Sequence, residues 1–307
     1  MRNTISRNVL AASQEANANL QRLMFSTLVT FGILAILCTR SFAQSTASAA
    51  KVAKPTPCAT TISKCGCAIT KKGIYTVSAD LSSSDGLTPD NRCIEIQTSN
   101  VILNLGSHKV TGPGGVNTDV GIDVKHGANN DALVGDAVTP ALVMAWGTGV
   151  HVGGNNELFS NIHADSNDSF GFELDGSSND RLVDWEANSP EGTFGLWIRS
   201  GNNNLVTKGT ANTNGEAGIF VGCADAASTA GEDCKGAGKS TGNDVIDNTV
   251  DTNIHYGVAL DSNAAQTLVN GNSGSGNGVH DLFDDSPSCG SNTWLDDSGT
   301  KSDLCVE

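Results

Sequence analysis

The chain has 307 residues, 38% of them hydrophobic and only 5% aromatic, with a formal net charge of −15. An acidic chain with no basic run in its folded part repels nucleic acid and anionic membranes, which excludes both as partners and leaves polyanionic sugars to a local basic patch. That length holds one or two domains, and the predominance of Gly, Asn, Asp, Ser and Thr after residue 75 argues for short strands joined by many turns rather than for helices.

The first element in chain order is an address. Arg2, Arg7 and Arg22 precede an apolar run from Leu23 to Leu37, and "SFAQ" follows with small residues at Ser41 and Ala43. Residues 1–43 read as a secretory signal peptide cleaved after Ala43. The apolar run is short of the roughly 20 residues that span a bilayer, so no stable membrane insertion is expected after cleavage; an uncleaved anchor is the alternative. The mature protein is expected to be secreted or periplasmic. Residues 44–57, which include "STASAAKVAKPTP", read as a flexible linker, and residues 58–307 as one folded domain.

Nine cysteines less Cys38 of the leader leave eight, an even number that in an exported chain points to disulfides. Cys223 and Cys234 bracket a Gly/Ala-rich excursion, and Cys289 and Cys305 bracket the C-terminal segment, so each is expected as a local pair. Cys58, Cys65, Cys67 and Cys93 allow three pairings, which stay open; the segment from Cys58 to Cys93 is expected to close the N-terminal end. The Cys-Gly-Cys at 65–67 has no nearby His to complete a metal site.

From residue 121 a pattern of Gly-apolar-x-apolar recurs: "GIDV" at 121, "GVHV" at 149, "GFEL" at 171, "GLWI" at 195, "GIFV" at 218 and "GVAL" at 257. "CIEI" at 93 fits without the glycine. A second motif keeps phase with it, as "ADSN" at 164, "ANSP" at 187, "ANTN" at 211 and "VDTN" at 250, while Asn130, Asn156, Asn179, Asn204 and Asn243 fall between. A repeat of this length with period-2 alternation is too short for helix pairs and cannot bury its own apolar side. Stacked copies can. The pattern predicts an all-β, single-stranded right-handed parallel β-helix with disulfide-stapled ends, its bends made by Asn and Gly and its coils tied by stacked Asn side chains.

The stretches "GIYTVSADL", "CIEIQTSNVILNLGSHKVTGPG", the "GLWI…NNNL" repeats and the tail "CGSNTWLDDSG" resemble the pectin-lyase-like right-handed β-helix superfamily, over roughly residues 70–300. The resemblance implies the fold and leaves the activity open, since lyases, hydrolases, epimerases and adhesins share it. Asn-Thr-Asp at 117–119 looks like the start of the polygalacturonase signature. No Gly-His-Gly or Arg-x-Lys follows, so it reads as a turn. Pectate lyases pair calcium carboxylates with a basic residue, and Glu173, Asp175 and Arg199 are the residues here that imitate this loosely.

In such a strand the residues between the apolar ones point outward. Stacking makes a first column of Glu95, Asp123, His151, Glu173, Trp197, Phe220 and Ala259, and a second of Gln97, Lys125, Gly153, Asp175, Arg199, Gly222 and Asp261. With coils about 4.8 Å apart, these share one patch. Trp197 and Phe220 are expected to offer flat faces to pyranose rings, Lys125 and Arg199 to hold a uronate or sulfate, and Asp175 to bind calcium or orient a neighbour. Asp123 and Glu173, with backbones about 10 Å apart, are the expected acid/base pair, with His151 as helper. The expected partner is an extracellular polysaccharide or glycan, with a structural or adhesive solenoid as the competing reading. No metal ligand set is read from the spacing of the six histidines, and calcium is the one cofactor left open. The acids of "HDLFDDSPSCGSNTW" read as a polar C-terminal cap.

Overall fold

The computed structural model describes residues 54–114, 118–189, 192–222, 238–286, 290–302 and 305–306. The signal segment, Asn117, Cys223, Cys234 and Cys289 lie outside the described residues.

The repeats fold as a right-handed parallel β-helix. Two ten-stranded parallel sheets run along it. The first collects the Gly-apolar-x-apolar strands, among them Val120–Val124, Thr148–Val152, Phe170–Asp175, Phe194–Arg199, Ala217–Val221 and Tyr256–Leu260. The second collects strands such as Val101–Gly106, Leu158–Ser160 and Leu205–Thr207. A third, shorter sheet runs from Leu81–Ser82 to Ile162–His163, and single bridges carry it on through Glu186, Thr210 and Thr249. The first strand, Thr56–Pro57, begins inside the segment expected to be linker. Among the described residues the helical structure is one 3-10 turn, Ser83–Asp85, and no helix is long and apolar enough to cross a membrane.

The motif glycines are required for space. A Cβ on Gly121 would lie 2.6 Å from the Gly149 carbonyl oxygen, one on Gly149 2.7 Å from that of Gly171, and one on Gly171 2.6 Å from that of Gly195. Any side chain would push the next coil away. The left-handed bends fall elsewhere, at Asn130, Asn156 and Asn179 (φ 61–62°) and then at Asn203, Gly242 and Gln266. Asn204 and Asn243 lie one position further on and do a different job.

Leu196 and Ile198 point inward and are fully buried beside Ile122, Val150, Phe172 and Ile219. Polar ladders tie the coils together inside this wall. The Val101 N–H donates to Asp131 Oδ1 (2.7 Å), Asp131 to Glu157 Oε2 (2.8 Å), Glu157 to Asp180 Oδ1 (2.8 Å), Asp180 to Asn204 Oδ1 (2.9 Å) and Asn204 to Asn243 Oδ1 (3.0 Å). An Asn suits such a rung because its oxygen accepts while its amide donates, as Asn204 Nδ2 does to the Ser177 carbonyl. Three consecutive rungs are acids instead. Asp131 Oδ2, Glu157 Oε1 and Asp180 Oδ2 are buried without a hydrogen-bond partner. Burial pushes Glu157 up to about 9, with the neighbouring acids adding to it, and Asp131 and Asp180 up to about 6.

Disulfides Cys58–Cys67 and Cys65–Cys93 close the N-terminal end, which settles the three open pairings and accounts for both cysteines of the Cys-Gly-Cys. Cys305 is also disulfide-bonded, while its expected partner Cys289 is outside the described residues. At the C-terminal end Asp281 accepts from the Thr300 N–H and hydroxyl, and Asp284 from Trp294 Nε1 at 3.1 Å. These acids hold the cap. Cys93→Ser removes a cross-link over 28 residues and is expected to cost about 3–4 kcal/mol. Denaturant titration of the oxidised protein measures this, with proteolytic nicking starting in the first coils; a wild-type midpoint would show that the link constrains little.

Candidate functional site

Backbone pairing sets Glu95, Asp123, His151, Glu173, Trp197, Phe220 and Ala259 side by side on successive strands of the first sheet, and Asp175 beside Arg199. The outward register is the one the alternation predicts. The environment along the column changes midway, from a charged half to an aromatic half.

The charged half is organised around Asp123, which is only 1% exposed. It accepts from Arg92 Nε at 2.9 Å, Lys125 Nζ at 2.9 Å and His151 Nδ1 at 2.8 Å. Lys125 also lies 3.3 Å from Glu95. Burial works to raise the Asp123 carboxyl, yet His151 and Lys125 hold it well below the usual carboxylate range. Asp123 is therefore a fixed anion, and it does not supply the proton-carrying half of the pair expected with Glu173. Burial disfavours the His151 imidazolium, but the carboxylates of Asp123 and Asp175 outweigh it and push the ring up to about 9. Its other nitrogen, Nε2, faces Asp175 Oδ2 at 3.9 Å. Burial raises the Glu173 carboxyl, aided by the charge of Asp175 and opposed by His151 and Arg199. Arg199 reaches between the two acids, 3.9 Å from Glu173 and 3.8 Å from Asp175.

The aromatic half departs from expectation. Trp197 points out of the solenoid but is only 6% exposed, and Phe220 1%. They form a second apolar cluster with Phe194, Ala217 and Ala259, against which Phe170, Tyr256 and Phe283 pack. The Phe194 and Phe220 rings stack with centroids 4.7 Å apart, and Trp197 lies 5.1 Å from Phe170 and 5.6 Å from Phe194. Its indole N–H donates to the Gly222 carbonyl at 3.0 Å, and the Arg199 guanidinium stands 5.2 Å from its ring centre. The ring faces expected to meet a sugar are thus already occupied by the protein.

Strict alternation missed a third outward column, at the residue just before each motif glycine. It places Arg92, Thr148, Phe170, Phe194 and Tyr256 on this face. The glycine turns the corner, so two consecutive residues face inward and the parity slips by one. The signal was present as Arg, Phe, Phe and Tyr at a fixed offset from the motif. His151, Glu173 and Asp175 also have ligand atoms within 4.8 Å of one another, the spacing of a cation site. Arg199 already supplies positive charge to both acids there, and the imidazole is held protonated, so a cation must compete with two built-in ones.

No family model and no curated protein matches this chain. Solved structures similar to it include the Dettilon tailspike protein (14% identity, TM-score 0.45, 71% of this chain and 47% of that one). An alginate lyase from Paenibacillus (14%, 0.44, 66% and 67%) and pectate lyase Pel9A (14%, 0.44, 61% and 46%) are further examples. The chain thus spans about half the length of two of these three structures.

Proposed function

We propose that the protein is an exported β-helix whose charged patch binds an anionic extracellular polysaccharide and acts on it by proton transfer through His151 and Glu173. One observation carries this reading. A protonated imidazole, oriented by a buried carboxylate, stands on the same open face as a carboxyl raised by burial, with two cations beside them. A positioned proton donor beside a carboxyl group that can exchange a proton is what such chemistry requires. Asp123 fixes the His151 ring through Nδ1, and Nε2, on the side of Asp175, carries the proton that the ring would give. Lys125 and Arg199 hold the anionic substituents of the sugar. The half-buried Phe170 replaces Trp197 and Phe220 as the ring platform. Calcium is not needed for charge balance, because Arg199 provides it. Disulfide-bonded cysteines at the N-terminal end and at Cys305 support export.

A screen of the mature protein against anionic and neutral polysaccharides, reading both binding and new chain ends, tests this. Glu173→Gln is expected to lower turnover by about 10²–10⁴-fold while binding persists. Arg199→Ala is expected to weaken binding of anionic chains and leave the fold intact. Turnover should decline on the alkaline side as His151 loses its proton near pH 9. A wild-type protein that neither binds nor cleaves any chain returns the structural solenoid as the better reading.

A further inference from the structure

A second polar cluster stands on a different sheet. His163 ends the strand Ile162–His163, and Asp165 follows two residues later. Ala164 between them is buried, so both neighbours face outward. On the next coil Glu186 is bridged to His163, flanked by the buried Trp185 and Ala187. Ligand atoms of His163, Asp165 and Glu186 all lie within 4.8 Å of one another.

Three features distinguish this cluster from an ordinary surface ion pair. His163 Nδ1 stands 3.4 Å from Glu186 Oε2. That is long for a hydrogen bond but close to the ligand-to-ligand edge of a tetrahedral site with bonds of about 2.1 Å. Asn188 holds one oxygen of each acid: its N–H donates to Asp165 Oδ1 at 2.9 Å, and its Nδ2 donates to Glu186 Oε1. The second oxygen of Glu186 faces His163 Nδ1, and a ligand atom of Asp165 lies within 4.8 Å of both, in the way outer groups set metal ligands. Charge is the third. Among the described residues no Lys or Arg forms an ion pair with either acid, and His163 is the one charged partner of Glu186. The Asp123 cluster has three cationic partners; this one has a single imidazole.

We propose that His163, Asp165 and Glu186 form a divalent metal site, with Asn188 as the residue that orients both carboxylates. One imidazole and two carboxylates suit a transition ion such as Zn²⁺ better than calcium or magnesium, which take oxygen ligands. His163 and Glu186 are each about one-third exposed (30% and 32%), so the ion can enter from solvent and keep a water. The site spans two adjacent coils and would clamp them together. It is independent of the glycan reading.

The test uses chelator-stripped, full-length mature protein and Zn²⁺, with Ca²⁺ as comparison, read by calorimetry and by thermal melting. One Zn²⁺ is expected to bind and to raise the melting temperature, and Co²⁺ in its place is expected to give a tetrahedral absorption band. His163→Ala should abolish both, and Asn188→Ala should weaken binding by about 10–100-fold. His151→Ala should change neither, which separates this cluster from the patch on the first sheet. Glu186→Gln, which keeps the side-chain shape, guards against a folding defect in the alanine variants. Absence of Zn²⁺ binding to wild type, or binding that survives both His163→Ala and Glu186→Gln, overturns the proposal.

Discussion

Glu157→Gln is expected to stabilise the protein, by about 2–4 kcal/mol at pH 8 and by less than about 1 kcal/mol at pH 4. Glu157 sits in the middle of the acidic rungs with both neighbours also acids, and one of its oxygens has no partner. Burial and those neighbours push its carboxyl up to about 9, far above the value of about 4.3 in an unfolded chain. The sign follows from linkage. A group whose folded value is raised binds more protons folded than unfolded. Its contribution is complete below about pH 4 and is lost as pH rises through the folded value. Asp131 and Asp180, raised to about 6, act in the same direction between about pH 4 and 6. Asp123 acts oppositely, since its depressed value makes its stabilisation disappear in strong acid. Stability should therefore peak in mild acid and fall toward pH 9. Urea titrations at pH 4, 6 and 8 on wild type and Glu157→Gln decide it. An equal loss of stability in the variant at all three values would mean that the rung works as an ordinary ionised carboxylate.

Trp197→Ala is expected to cost about 3–5 kcal/mol, the cost of emptying a large core position, although the residue lies on the outside of the solenoid. Its ring is enclosed by Phe170, Phe194 and Phe220, and its N–H is spent on the Gly222 carbonyl. The melting temperature should fall by on the order of 10 °C. Alternation alone predicts almost no change for this substitution. Ile198→Asp, one residue along, buries an unpaired charge in the main core and should leave no folded protein. Arg199→Ala should be well tolerated, because that side chain is about one-third exposed (31%). A wild-type melting temperature for Trp197→Ala would mean that the second cluster contributes little.

The fold was legible because two motifs kept phase, and phase is all that stacking needs. Leu196 and Ile198 inward, and Asp123, His151, Glu173 and Trp197 in one line, follow from alternation within each strand. Whether an outward residue meets water was not legible. That depends on which residues flank it across coils, and the flanking Phe170 and Phe194 belong to the column hidden by the glycine corner. The role of Asp123 was hidden for the same reason. Its partner Arg92 comes from that column, so the carboxylate looked available when it is fully committed. The internal ladder was half legible: Asn204 and Asn243 announced it, whereas Asp131, Glu157 and Asp180 look like solvated acids until their neighbours are known.

The long interval between the motif glycines Gly218 and Gly257 has a consequence for protein engineering. The motif glycines are spaced 22–28 residues apart until the last interval, which is 39. Even so, Ile219 pairs with Val258 and Phe220 with Ala259 in the same alignment as on shorter coils. Coil-to-coil alignment is therefore the same across the longer sequence interval as across the shorter ones. Lengthening a loop twofold costs only about 0.6 kcal/mol in closure entropy. A short reporter peptide or affinity tag inserted into the sequence between Gly222 and Gly238 is expected to leave the pairing of Ile219 with Val258 unchanged.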